Sequence, residues 1–305
     1  MKHFKSHLAI MSANILFGLN FTVAKGIMPN YALPYGLTLC RIIGAGLMFW
    51  LLGLFAGHEK IERKDLKLLF ASGVFGVSVN QLLFLKGLSL TTPIDAAIIM
   101  TLIPIMVMFF AYIFLKERIT WLKVLGIGIG ATGSVILILF SGELSLSSAT
   151  FWGNLMQFFN ALCYAYYLVL VKPLMAKYRP LTVMKWVFAF GFLIIAPVGT
   201  HQLLQINWSQ IPMPYLMSIA YIVFGTTFLG YLLNIYGMQA LSPATISTYI
   251  YAQPFIAVLA SIIVGNDHLT SIKIFSGILV FVGVYLVTKT NNQSRTLIVL
   301  RKILK

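Results

Sequence analysis

The stretch Thr91–Pro104 reads TTPIDAAIIMTLIP, and Leu241–Pro254 reads LSPATISTYIYAQP. Each carries two prolines eleven residues apart in an apolar run, and the first adds a carboxylate, Asp95, just behind its leading proline. An interior proline removes a backbone donor and clashes with the preceding turn, and an ionised group in hydrocarbon is costly. A defect that recurs needs an architectural reason. A shift of 150 residues also pairs Gly87 with Gly237, Glu117 with Asp267, Thr120 with Thr270 and Gly133 with Gly283, without a gap. Apolar bias does not align glycine, proline and acid together, so the halves read as copies of one unit.

The chain is 59% hydrophobic and 10% charged over 305 residues, against roughly a quarter charged in a soluble domain. Apolar runs of bilayer-spanning length recur throughout. They are Leu8–Met28, Tyr35–Ala56, Leu68–Leu88, Ile94–Leu115 and Trp121–Phe140, then Phe151–Val171, Thr182–Leu203, Tyr215–Met238, Ala244–Val264 and Ile272–Thr288. The predicted fold is an all-α integral membrane protein of ten helices, with repeats over 1–145 and 146–290 and a basic tail over 291–305. Five spans per half is an odd number, so the second copy enters the membrane inverted, the architecture of many secondary transporters. The basic start MKHFKSHLAIM resembles a signal peptide, but its apolar run is long and lacks a small-residue cleavage site. It reads as an uncleaved first helix.

The net charge of +15 is explained by topology. Numbering the spans outward from an inside N-terminus places 18 of the 22 Lys and Arg on one side. This positive-inside distribution puts both termini in the cytoplasm; the expected location is the plasma membrane, or the inner membrane of a Gram-negative cell. Nucleic acid is not an expected partner, because no soluble domain offers a basic face. Cys40 and Cys163 fall inside spans and suggest neither a disulfide nor a metal site. No P-loop, nucleophile elbow or metal-ligand histidine spacing is present, so neither cofactor nor enzymatic activity is expected.

Three stretches carry a family resemblance: FGLNFTVAK (Phe17–Lys25), ALPYGLTLCR (Ala32–Arg41), and the segment from Asn80 through Pro104 to LKERIT, ending at Thr120. They resemble the opening, the arginine-bearing second helix, and the third and fourth helices with the following acidic turn of the EamA branch of the drug/metabolite transporter superfamily. Phe17 and Leu19 depart from that family's Trp and Ser, and Asn266, Asp267 and His268 replace its glycine and glutamate in the second copy. The resemblance covers nearly the whole chain and implies transport, with export favoured, of a small metabolite.

Beyond the basic loops, four cations remain: Lys25, Arg41, Lys86 and Lys273. Arg41 lies about two turns inside its helix, so it should face a polar cavity or pair with an acid. The lysines stand at helix ends, where snorkelling to headgroups competes with a functional role. Asp95 sits in a first helical turn, which favours negative charge, or else pairs with Arg41 or Lys86, or exchanges a proton. Pro104 and Pro254 are expected to kink two symmetry-related helices near the bilayer centre.

Polar side chains cluster on several helices. Asn154, Gln157, Asn160, Tyr164 and Tyr167 share one face of helix 6, which either bonds to other helices or lines an aqueous path. Asn14 and Asn20, Asn80 and Gln81, Thr227, Tyr231 and Asn234, and Thr248, Tyr249, Tyr251 and Gln253 extend the pattern. Asn20, Arg41, Gln81, Asn154, Gln157, Tyr164, Tyr231, Asn234 and Tyr251 are the candidate substrate ligands. Lys25, Lys86, Asp95, Pro104 and Pro254 are the candidates for coupling or gating. The chemistry suits a solute with an apolar body and a carboxylate, such as an amino acid. A membrane enzyme, a lipid-handling protein or a sensor using the same cavity is the alternative. Gly126, Gly128, Gly130, Gly133, Gly277 and Gly283 suit close helix packing, within the protomer or in a homodimer. The tail RTLIVLRKILK (Arg295–Lys305) reads as a membrane-surface anchor or a docking helix.

Overall fold

Proline sets where several helices begin. Pro34, Pro93, Pro180 and Pro243 are each the first residue of a helix, where the missing N–H has no intrahelical partner to lose. The computed structural model describes residues 2–55, 59–115, 121–140, 148–241, 243–265, 268–283 and 285–286, all without a strand. Glu117, Thr120, Asp267 and the tail 291–305 lie outside the described residues.

In chain order the helices are α1 (Lys2–Ile27), α2 (Pro34–Phe55), α3 (Arg63–Leu90), α4 (Pro93–Met100 and Ile103–Leu115) and α5 (Trp121–Phe140). There follow α6 (Ala149–Lys177), α7 (Pro180–Leu204), α8 (Met213–Met238), α9 (Pro243–Thr248 and Ala252–Val264) and α10 (Ser271–Gly283). Among the described residues, eight are long and apolar enough to cross a membrane; in α5 and α10 the described apolar stretches are shorter, Val124–Gly133 and Ser271–Gly283. Large apolar side chains such as Leu51, Phe55, Leu193, Phe255 and Ile263 stand on the outer surface, as a lipid-facing surface allows and a watery one does not.

The kinks expected at Pro104 and Pro254 are breaks. α4 stops at Met100 and resumes at Ile103, and the Thr101 hydroxyl donates to the Ile98 carbonyl at 2.6 Å. α9 passes through a 3₁₀ turn over Tyr249–Tyr251 before Pro254. Each proline lies just past its break, because its ring excludes the preceding turn from regular helix. Two further irregularities have no proline. α3 widens to a π-helix over Val74–Ser78, and α8 does so over Tyr221–Leu229. Hydroxyls answer the displaced carbonyls: Ser78 donates to Gly73 at 3.1 Å, and Thr227 donates to Ile222 at 2.7 Å.

Packing exchanges helices between the halves. α1 packs against α8 and α9, and its counterpart α6 packs against α3 and α4. Glycine makes these approaches close. A Cβ at Gly87 of α3 would stand 2.9 Å from the Gly153 carbonyl of α6, and one at Gly283 of α10 would stand 2.5 Å from the Gly126 carbonyl of α5. The contact permitted by the glycines of α5 and α10 is thus made within the chain.

Candidate functional site

Both proline breaks turn side chains inward. Ile103 and Gln253, the residues before the two prolines, face one cavity of about 70 Å³. With them stand Phe17, Asn20 and Phe21 from α1, Arg41 from α2, Asn80, Gln81 and Phe84 from α3, and Met100 from α4. Asn160 and Tyr164 of α6 and Tyr231 of α8 complete the wall. The cavity is narrower than the roughly 300–1,000 Å³ usual for ligand pockets.

Among the described residues, Arg41 is the only charged one in this lining, and no Asp or Glu belongs to it. It is 2% exposed, its Nε donates to Thr227 Oγ1 at 2.7 Å, and its Nη1 has no hydrogen-bond partner among the described residues. The π-helical turn of α8 therefore holds the guanidinium in place while part of its donor fork stays unused.

Amide side chains form two relays ending at the cavity. In the first, Gln157 Nε2 donates to the Phe84 carbonyl at 2.8 Å, Asn160 Nδ2 to Gln157 Oε1 at 3.1 Å, and Asn80 Nδ2 to Asn160 Oδ1 at 2.5 Å. Gln81 Nε2 then donates to Asn80 Oδ1 at 3.0 Å and also to the Tyr231 hydroxyl, which donates to the Gly76 carbonyl at 3.1 Å. In the second, Asn14 Nδ2 donates to the Ile10 carbonyl at 2.8 Å, and Gln253 Nε2 donates to Asn14 Oδ1 at 2.7 Å.

Of the predicted ligands, Asn20, Arg41, Gln81, Tyr164 and Tyr231 line the cavity. Gln157 anchors the first relay from behind, and Asn234 donates to the Tyr164 hydroxyl from outside the lining. Asn154 contacts Thr91 away from the cavity, and Tyr251 packs on Phe281 with ring centroids 6.0 Å apart. Asn80, Asn160 and Gln253 belong to the wall although the predicted ligand set omits them. Their polarity inside spans was the available signal. The apolar wall of Phe17, Phe21, Phe84 and Met100 had none, since such residues also fill ordinary cores.

Lys25, Asp95 and Lys273 take structural partners. Lys25 does not snorkel: its ammonium donates to the carbonyls of Leu88, Ser89 and Thr91 at 3.0, 3.0 and 2.7 Å, closing the C-terminal end of α3. Lys172 closes α8 in the same way, donating to the carbonyls of Met238 and Leu241 at 2.6 and 2.8 Å. Asp95 meets neither Arg41 nor Lys86. It pairs with Lys273 at 3.5 Å, both side chains buried, and Lys273 also reaches Thr92 Oγ1 at 3.2 Å. Burial replaces the snorkelling expected of Lys273 because the acid lies within reach. Lys86 is half-buried and outside the cavity wall.

A multi-pass helical bundle enclosing a polar cavity between its helices is the architecture of a membrane carrier. The chain belongs to the EamA-like transporter family, which matches residues 4–139 and again 151–289. It is 28% identical to the uncharacterized transporter YyaM of Bacillus subtilis, over 98% of this chain and 100% of that protein. It is 22% identical to a probable terminal-alkyne amino-acid exporter of Streptantibioticus cattleyicolor, over 95% of each. A crystal structure shares the fold with a TM-score of 0.65 at 18% identity, covering 94% of this chain and 98% of that one.

Proposed function

We propose that the protein is a secondary transporter that exports small carboxylate-bearing solutes with an apolar body, amino acids or close relatives, by alternating access. It would span the membrane ten times as two inverted five-helix repeats, with both termini cytoplasmic. The observation that carries the substrate reading is Arg41: a buried cation on the cavity wall that has, among the described residues, an unused donor and no acid beside it in the lining. Such a site attracts a carboxylate and gives it a directional partner. The inverted-repeat reading is supported by symmetry in the contacts. Lys25 closes carbonyls 88, 89 and 91, and Lys172, 147 residues further on, closes 238 and 241, the positions 150 residues beyond 88 and 91. Gln81 touches Tyr231, its own repeat counterpart, as residues beside a pseudo-two-fold axis must. The narrow cavity has to widen toward one side to admit a solute, which is the motion alternating access supplies.

The test is uptake into proteoliposomes from a mixed panel of amino acids and small organic anions, with lumenal solutes identified by mass spectrometry against protein-free vesicles. A specific solute should accumulate, and Arg41→Gln should lower its transport by about 30-fold or more, the loss of a buried charge-assisted contact. Unchanged transport in Arg41→Gln would remove the arginine from the site. Binding without any uptake would favour the sensor alternative.

A further inference from the structure

The carrier reading leaves open which solutes carry the carboxylate, and the amide relays narrow the class. We infer that the cavity is built for a zwitterion, with the substrate ammonium received by the side-chain oxygens of Gln81 and Gln253 while Arg41 holds the carboxylate. This rests on the carrier reading of the same cavity. An amide side chain has an oxygen end and a nitrogen end, and hydrogen bonds alone decide which faces where. Here the decision is made at the far end of each relay. Phe84 and Ile10 present backbone carbonyls, which only accept, so Gln157 and Asn14 must turn their NH₂ groups toward them. Each following amide is then oriented by the last: Asn160 by Gln157, Asn80 by Asn160, Gln81 by Asn80, and Gln253 by Asn14.

The consequence is that both relays end in an acceptor. Gln81 is 6% exposed and its Oε1 has no hydrogen-bond partner among the described residues, while both protons of its nitrogen are engaged by Asn80 and Tyr231. Gln253 gives one Nε2 proton to Asn14, which turns its amide oxygen away from that contact, and the residue ends the second relay on the same wall. A plain carboxylate would satisfy Arg41 and leave these acceptors without a donor; a plain amine would do the reverse. An α-amino acid satisfies both, with the Phe17, Phe21 and Phe84 rings for its side chain.

The test uses matched sets on the purified full-length protein, with binding measured by calorimetry: alanine, leucine and phenylalanine, each beside its desamino acid and its decarboxylated amine. For at least one set the amino acid should bind about 100-fold or more tightly than both partners, as expected when a missing group strands a buried hydrogen-bonding atom. Gln81→Leu should shrink the gap between amino acid and desamino acid to within about tenfold. Where that variant fails to fold, Gln253→Leu makes the same comparison at the second acceptor, and the wild-type ratios stand without either. A desamino acid that binds as well as its amino acid, and is lost in Arg41→Gln, overturns the zwitterion inference and leaves the carboxylate carrier intact. Binding by none of the nine compounds overturns both.

Discussion

Asp95 and Lys273 form an ion pair with side chains 0% and 4% exposed. Two such charges withdrawn from water are tolerable only together, because removing one strands the other. Asp95→Asn or Lys273→Met should each cost about 3–5 kcal/mol of stability, and the double variant should recover most of that loss. Thermal unfolding of the three variants in detergent tests it; losses that simply add would show the two side chains to be independent. The pair also breaks the repeat, since the positions 150 residues away from Asp95 and Lys273 are Thr245 and Lys123. That Asp95 needs a partner is legible in a single sequence, because a carboxylate in an apolar run must be neutralised or capped. Which lysine answers is not, since α10 is distant in sequence and its approach to α4 is a tertiary fact.

At the scale of elements, glycine and the two lysine caps decide how closely helices meet. Gly283→Ala should destabilise the protein by about 1–3 kcal/mol, since the new Cβ would press into the α5 backbone. Gly26→Ala is the control: nothing lies within 4 Å of its Cβ position, and it should be neutral or stabilising. Equal melting temperatures for the two variants would refute close α5–α10 packing. The breaks in α4 and α9 could be anticipated from Pro104 and Pro254 because proline acts through local sterics. The π-helical turns of α3 and α8 could not, because their sequences VFGVS and YIVFGTTFL contain no breaker beyond glycine. They arise where widened helix brings hydroxyls onto orphaned carbonyls.

At the scale of the molecule, α1 leans on α8 and α9, and α6 on α3 and α4, so each half lends its first helix to the other. His7 of α1 meets Tyr249 of α9 at 2.6 Å, a contact between the halves. If the carrier works by separating these helices, joining them should stop it. His7→Cys with Tyr249→Cys, in a background with Cys40 and Cys163 replaced, should transport normally until a short thiol-reactive cross-linker is added and then lose nearly all activity. Full activity after cross-linking would show that this junction stays shut through the transport cycle.

What the chain determines by itself is what local physics and repetition can encode: apolar runs of membrane length, helix starts and breaks at proline, and two copies of one unit revealed by glycine, proline and acid in register. It also marks nearly every polar side chain of the cavity, because amides and a guanidinium inside hydrocarbon-length helices require partners. Only the tertiary structure decided how those partners were assigned. It sent Asp95 to Lys273, turned Lys25 and Lys172 into helix caps, and strung the amides into relays with a direction. Hydrogen-bond polarity is a property of neighbours in space, and those neighbours come from helices far apart in the chain.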